Sequence, residues 1–238
     1  MSNTLARPYT AAILVAAGGS TRMGAPKLFL PLCGMPVVAH TLRAFELAAS
    51  IDQIVLVTRE QDRETMRALC EKYAIAKCTA VVAGGDTRQQ SVACGVKAAN
   101  EHAALLAIHD GARPLIRPAV IDRVVEAAAL GGAATAAVPV KDTIKVADET
   151  GCILSTPERS RLWNVQTPQV FERGLYLRAL HEAEAAGLDF TDDCQLAERI
   201  GVRVRLCEAD YGNIKITTPE DMAFAQGLLQ AQEGGKPL

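Results

Sequence analysis

The sequence predicts an α/β protein, a mostly parallel sheet with helices on both faces and an extended β-arm. Three observations point there. Short apolar runs alternate with helical periodicities almost from end to end. Most of the runs are continuously apolar, as in strands covered on both sides. One stretch, 141–166, breaks this rhythm with a period of two around a turn.

In chain order, strands are predicted at 11–17, 53–58, 79–83, 105–109, 133–140 and 202–208. Between them Val38, Leu42, Phe45 and Ala49 recur at helical spacing, as do Val120, Val124, Ala127 and Ala128. Segments 88–100, 175–186, 192–200 and 219–230 also read as helices. This alternation builds a parallel sheet with helices on each side. The interruption, DTIKVADETGCILSTPERSRLWNV, turns at 148–151. It reads as an arm at about 141–165 on a single domain covering 1–238. A lone hairpin is marginal in water, so Ile144, Val146, Ile153 and Leu154 need a surface, on their own domain or on a second subunit.

At 238 residues and a formal charge of −2, the chain has no general attraction to nucleic acid or to an anionic membrane. Its apolar run 11–17 is far shorter than the roughly 20 residues of a membrane span. Basic residues follow it where a leader's cleavage site would stand. The chain reads as cytoplasmic. Seven cysteines stand without a C-x-x-C pair and are expected as buried free thiols. The four histidines form no zinc motif.

In open α/β sheets ligands bind beyond the carboxyl ends of the strands. There the sequence places Gly18-Gly19-Ser20-Thr21-Arg22 and then Lys27, Gly84-Gly85-Asp86 with Ser91 beyond, Asp110 with Arg113, Lys141-Asp142-Thr143, and Asn213-Ile214-Lys215. The first loop matches neither common phosphate loop, because Ser20 replaces the second dinucleotide glycine and Ala25-Pro26 follow Gly24. Its glycines still let backbone amides approach an anion. Arg22 can fork two donors onto phosphate oxygens, and Lys27 adds a point charge fixed by Pro26. Asp110 ends an apolar strand, a poor place for a carboxylate. It either holds Mg²⁺ together with substrate phosphates, or it caps a turn or pairs with Arg113. His109 is expected in the core. No residue stands out as a general base, which suits a reaction whose nucleophile is already anionic: a phosphate monoester attacking a nucleotide α-phosphate.

The loop LVAAGGSTRMGAPK resembles the opening of nucleotidyltransferases that join a nucleotide to a sugar or polyol phosphate. GGDTRQQSV, HDGARP, VPVKDTIK, WNVQTPQVF, FTDD and NIKITTPED, in that order, resemble the 2-C-methyl-D-erythritol 4-phosphate cytidylyltransferases. The resemblance implies a Rossmann-like nucleotidyltransferase fold, CTP and a polyol phosphate as substrates, Mg²⁺ as cofactor, and a role in isoprenoid precursor synthesis. It assigns Arg22 and Lys27 to the transition state, and Lys215 and Arg159 to catalysis and the acceptor phosphate. Ala16, Ala17, Gly18, Gly19, Gly85, Asp86, Ser91 and Asp110 would surround the nucleotide. Arg113, Thr143, Thr167 and Thr191 would line the acceptor pocket. In this family the arm crosses a homodimer, which would send Thr143 and Arg159 into the partner's site. A ribitol 5-phosphate cytidylyltransferase, or a nucleotide-binding regulator without turnover, are the alternative readings.

Overall fold

The structure, a computed structural model, describes residues 7–19 and 26–233. Its strands and helices follow in order: β1 (Thr10–Val15), the two-residue strands β2 (Pro31–Leu32) and β3 (Met35–Pro36), α1 (Val37–Leu47), β4 (Gln53–Thr58), α2 (Arg63–Lys72), β5 (Cys78–Ala83), α3 (Arg88–Ala98), β6 (Leu105–Asp110), α4 (Pro118–Gly131), β7 (Ala133–Pro139), β8 (Val146–Ala147), β9 (Ile153–Ser155), β10 (Trp163–Glu172), α5 (Arg173–Ala185), α6 (Asp193–Arg199), β11 (Arg205–Glu208) and α7 (Pro219–Glu233). Among the described residues seven strands form the main sheet, in the order β11-β7-β10-β6-β1-β4-β5. All run parallel except β10, which is antiparallel to both β6 and β7.

Strand pleating divides the core in two. Ala12 and Leu14 of β1, with Ile54 and Leu56 of β4, face α1, α2 and α4, where Phe45, Met66 and Val124 are fully buried. Ala11, Ile13, Val55 and Val57 face the opposite way, onto α3, α5 and α6. With both faces covered, neither can afford a polar residue, hence the unbroken apolar run of β4. Burying each large side chain contributes about 1.5–3 kcal/mol. The helix ends are locally encoded. Thr87 and Gln90 form a capping box at α3, and α4 begins with Pro118 and ends at Gly132, whose φ of 81° favours glycine. No helix among the described residues is long and apolar enough to cross a membrane.

Four expectations need correction. The first strand ends at Val15, two residues early, so Ala16 to Gly19 are already loop. The last strand starts only at Arg205. The arm is shorter than 141–165, because Trp163 begins β10, a central strand that the sequence reading did not assign. Pro168 sits within it, at the register shift between Val165 and Gln169 where the ladder is interrupted, so its missing N–H breaks no regular pairing. Finally, Cys33 and Cys152 are exposed rather than buried. The arm itself keeps its turn. The Asp148 Oδ1 accepts hydrogen bonds from the backbone N–H groups of Thr150 and Cys152, both at 2.9 Å, and Gly151 has φ 84°. Ile153 and Leu154 are 63% and 65% exposed.

Candidate active site

Beyond the carboxyl ends of β1, β5 and β6 lies a hollow of about 250 Å³. Ala16, Ala17, Gly18, Gly19, Lys27, Gly85, Asp86, Arg88, Ser91, Asp110 and Lys215 all contribute to its wall. Ten of these were chosen from sequence; Arg88 was not. Arg22 and Ser20 lie outside the described residues.

Each wall segment is fixed by its own chemistry. Ala16 leaves β1 with its N–H bonded to the Val57 carbonyl at 2.7 Å. Lys27 opens a single tight turn: the Phe29 N–H reaches the Pro26 carbonyl at 3.0 Å, and Leu28 is buried in the core. A Cβ on Gly84 would stand 2.6 Å from Ser91 Oγ and 2.7 Å from the Ala17 Cβ. Glycine there is what lets the third loop close against the first. Ser91 is buried and donates its hydroxyl to the Thr87 carbonyl at 2.9 Å. The segment bearing Lys215 is held by buried neighbours on either side. Asn213 donates to Gln166 Oε1 at 2.8 Å, and the Ile216 N–H to the Ala112 carbonyl at 2.9 Å.

Asp110 is the electrostatic centre. Lys215 Nζ lies 3.0 Å from its Oδ2, Arg113 Nε 3.5 Å from the same oxygen, and Arg88 Nε 3.6 Å from Oδ1. Burial alone would push this carboxyl up. Lys215, Arg88 and Arg113 outweigh that and hold it well below the usual carboxylate range. The pairing with Arg113 expected as the plain alternative is therefore real, and it is one of three. Arg88 is itself anchored from behind. Its Nη1 reaches Asp193 Oδ2 at 2.6 Å, and Tyr176 donates its hydroxyl to Asp193 Oδ1 at 2.7 Å. Burial works against the Arg88 charge, but Asp193 and Asp110 more than offset it and keep the guanidinium protonated. Burial also pushes the Asp193 carboxyl up, against the pull of Arg88 and Tyr176.

Sequence reasoning missed Arg88, Asp193 and Tyr176. A signal for Arg88 existed, since a cation in the first turn of a helix is disfavoured by the helix dipole and calls for carboxylates nearby. Arg113 stands behind Asp110, with Nη1 on the Asn213 carbonyl at 2.8 Å. Thr167 was expected to line the acceptor pocket. It is buried beside Asp110, its hydroxyl accepting from the Asp110 N–H at 3.1 Å and bonded to His109 Nδ1 at 2.9 Å. His109 is fully buried beside Phe45, as expected, and burial pushes it down to about 3, a neutral imidazole. Thr191 is exposed just before α6. Thr143 and Arg159 stand exposed on the arm, away from the hollow wall, with Arg159 Nη1 on the Lys141 carbonyl at 2.9 Å.

Among the described residues no three His, Cys, Asp or Glu side chains gather to hold a metal on their own. Asp110 still fits a hard divalent cation that takes most of its ligands from water and substrate phosphates, being ionised and open on the hollow.

The family model for 2-C-methyl-D-erythritol 4-phosphate cytidylyltransferase (IspD) matches residues 10–231. The protein of that name from Caldanaerobacter subterraneus subsp. tengcongensis is 45% identical over 222 residues, 92% of this chain and 98% of that one. That from Shouchella clausii is 45% identical over 225 residues, 94% and 97% of the two chains. Among solved structures, 4-diphosphocytidyl-2C-methyl-D-erythritol synthase from Anaerococcus prevotii superposes with a TM-score of 0.84 at 32% identity, covering 94% of this chain and 99% of that one. Matches of that extent to sequence and fold together settle the lineage: the chain belongs to the 2-C-methyl-D-erythritol 4-phosphate cytidylyltransferase family.

Proposed function

We propose that this chain transfers the cytidylyl group of CTP to 2-C-methyl-D-erythritol 4-phosphate, and that the hollow beside Asp110 is where it does so. The acceptor's phosphate oxygen attacks the α-phosphorus of CTP in line. A new P–O bond forms, the bond to the bridging oxygen breaks, and pyrophosphate leaves. The observation that carries this reading is the convergence of Lys215, Arg88 and Arg113 on one ionised acid, with Lys27 in the wall of the same hollow, in a chain of net charge −2.

The acceptor phosphate is already an anion at neutral pH, so no protein group must take a proton from it. That agrees with His109, the histidine nearest the hollow in sequence, being sealed in the core as a neutral ring. What the protein must supply is position and positive charge where negative charge accumulates. Lys27, with Arg22 by sequence, is assigned to the α-phosphate and the departing pyrophosphate. Lys215 bridges between Asp110 and the acceptor phosphate. Gly85, Asp86 and Ser91 form the nucleobase wall, with Ala16, Ala17, Gly18 and Gly19 lending backbone groups to the base and the phosphates. Asp110 would hold Mg²⁺, which supplies charge neutralisation on the triphosphate when bound.

Arg159 and Thr143 enter this scheme from a second subunit. The exposed Ile144, Val146, Ile153 and Leu154 of the arm support a homodimer, since they would otherwise stay in water. Pyrophosphate release tests the whole reading: each of the four NTPs is offered with methylerythritol phosphate or with ribitol phosphate. Release with CTP and methylerythritol phosphate is expected. Release only with ribitol phosphate transfers the assignment to that acceptor, and none with any pair leaves a nucleotide-binding protein without turnover.

A further inference from the structure

The arm leaves the sheet at the end of β7 and returns into β10, where the Val140 N–H on the Leu162 carbonyl at 3.0 Å joins its two limbs. Further out the limbs pair as strands at β8 and β9. The side chain of Tyr211, in the loop beyond β11, grips the root of the arm from outside it. It donates its hydroxyl to the Pro139 carbonyl at 2.8 Å, and the Lys141 ammonium lies 3.5 Å from the centre of its ring. The Lys141 carbonyl in turn accepts from Arg159 Nη1 at 2.9 Å. Tyr211 thus reaches Arg159 through a single residue. Its own footing is firm. The Asp210 carboxylate accepts from Arg117 Nε at 2.7 Å, the Asp210 carbonyl accepts from Gln166 at 3.1 Å, and Asn213 is buried.

We propose that Tyr211 is a positioning residue for the acceptor phosphate, acting on the partner subunit's site rather than its own by setting the direction in which the arm carries Arg159. The proposal rests on the cytidylyl-transfer reading and on the arm crossing a homodimer. Tyr211 is 42% exposed, and a cation over an exposed ring adds little to stability. Its contacts are directional, however. The hydroxyl fixes one point of the root and the ring face a second, so together they set where the arm points rather than whether the chain folds. The same loop carries Lys215 into the hollow wall, and a purely local role would make Tyr211 a prop for that lysine. The contacts favour the arm. The segment bearing Lys215 is held by Asn213 on Gln166 and by Ile216 on Ala112, whereas the hydroxyl and the ring of Tyr211 engage Pro139 and Lys141.

Initial rates of pyrophosphate release by the full chain test this. Tyr211→Leu removes both ring and hydroxyl. It should raise KM for methylerythritol phosphate roughly tenfold, the scale of one loosened charge-assisted hydrogen bond, with KM for CTP unchanged. Tyr211→Phe keeps the ring beneath Lys141 and should fall between Tyr211→Leu and wild type. Lys141→Met keeps most of the stem, and should raise the same KM in the wild-type background but not in Tyr211→Leu. Heterodimers of differently tagged subunits, with one site silenced by Lys27→Ala, then assign the effect to a site. With Lys27→Ala and Tyr211→Leu on the same subunit, the live site receives the altered arm and its KM should be raised. With the two changes on opposite subunits, the live site receives an intact arm and its KM should match the wild type. The reverse pattern makes Tyr211 a prop of its own Lys215 loop and overturns the proposal. So does an unmoved KM in Tyr211→Leu, or a Tyr211→Leu chain that gel filtration shows to be monomeric. A wild type that releases no pyrophosphate, or is itself monomeric, removes the reading beneath and the proposal with it, whereas the failures confined to the variants leave that reading standing.

Discussion

Arg88→Met isolates the buried arm of the charge cluster. Methionine keeps a straight-chain, helix-compatible side chain in α3 and removes the guanidinium that sits between Asp110 and Asp193. Asp110 retains Lys215 at 3.0 Å and Arg113 at 3.5 Å. Asp193, whose side chain is 1% exposed, keeps the Tyr176 hydroxyl at 2.7 Å but loses the cation at 2.6 Å. Leaving a buried carboxylate without its ion partner costs about 3–5 kcal/mol. In a chain of this size that lowers the melting temperature by roughly 10 °C.

The pH dependence identifies the cause. Burial already pushes the Asp193 carboxyl up, and Arg88 is the main force opposing it. Without Arg88 the folded pKa rises further above the unfolded value near 4. An acid shifted in that direction binds more protons folded than unfolded across the interval. Its variant is therefore most stable below the unfolded pKa and loses stability as pH rises through the folded one, by up to about 1.4 kcal/mol per pH unit. Urea denaturation followed by circular dichroism at pH 5, 6.5 and 8 should show the gap between wild type and variant widening with pH. Adding Asp193→Asn to the variant should flatten that slope and recover stability at pH 8. A gap that stays constant across pH, or a double variant no more stable than the single one, refutes the account.

Lys27→Ala should lower turnover by roughly 10²-fold, the scale of losing one transition-state donor, with an unchanged circular dichroism spectrum; wild-type turnover would remove Lys27 from the chemistry. Mixing Lys27→Ala with Arg159→Ala subunits should restore part of the activity if the arm completes its partner's site, and no recovery after demonstrated subunit exchange argues against a shared site. Gly95→Ala places a Cβ against the Cγ2 atoms of Ile13 and Val57, the latter at 2.7 Å. Overpacking of about 1–3 kcal/mol should exceed the helix-propensity gain of about 1 kcal/mol, so calorimetry should show a lower melting temperature, and a higher one would contradict the packing.

Much of the fold was legible because the parallel strands carry no conflicting signal. β4 is apolar at Ile54, Val55, Leu56 and Val57 and buried throughout. The loops beyond such strands must share one sheet edge, so Asp110 and Lys215 could be brought together without coordinates. β10 was hidden because it is central yet polar. Gln166, Thr167 and Gln169 are buried there, and each is satisfied internally: Gln166 on the Asp210 carbonyl at 3.1 Å, Thr167 on Asp110 and His109, Gln169 on Asp192. Period and hydropathy register only the polarity, not the partners that remove its cost. The network from Tyr176 through Asp193 to Arg88 joins residues up to about 100 positions apart, a separation at which a single sequence carries no pairing information.

The cations around Asp110 differ in how firmly they are held, and the difference predicts which of them serves chemistry. Arg88 and Arg113 are mostly buried, and each has a second anchor, Asp193 for one and the Asn213 carbonyl for the other. Lys215 has a side chain 41% exposed on the open side of the acid. An incoming phosphate can draw Lys215 towards itself without unfolding anything, while the arginines keep the carboxylate aimed and ionised. Lys215→Ala should then change stability by no more than about 1 kcal/mol, the range of a solvent-accessible pair, yet lower turnover by roughly 10²-fold. Arg113→Ala should do the reverse in emphasis, losing about 3 kcal/mol or more of stability. Parallel urea titrations and initial rates on the two variants separate these outcomes. A Lys215→Ala protein that unfolds as readily as Arg113→Ala, or that turns over like the wild type, would mean that the lysine is structural and that the mobile cation must be sought elsewhere.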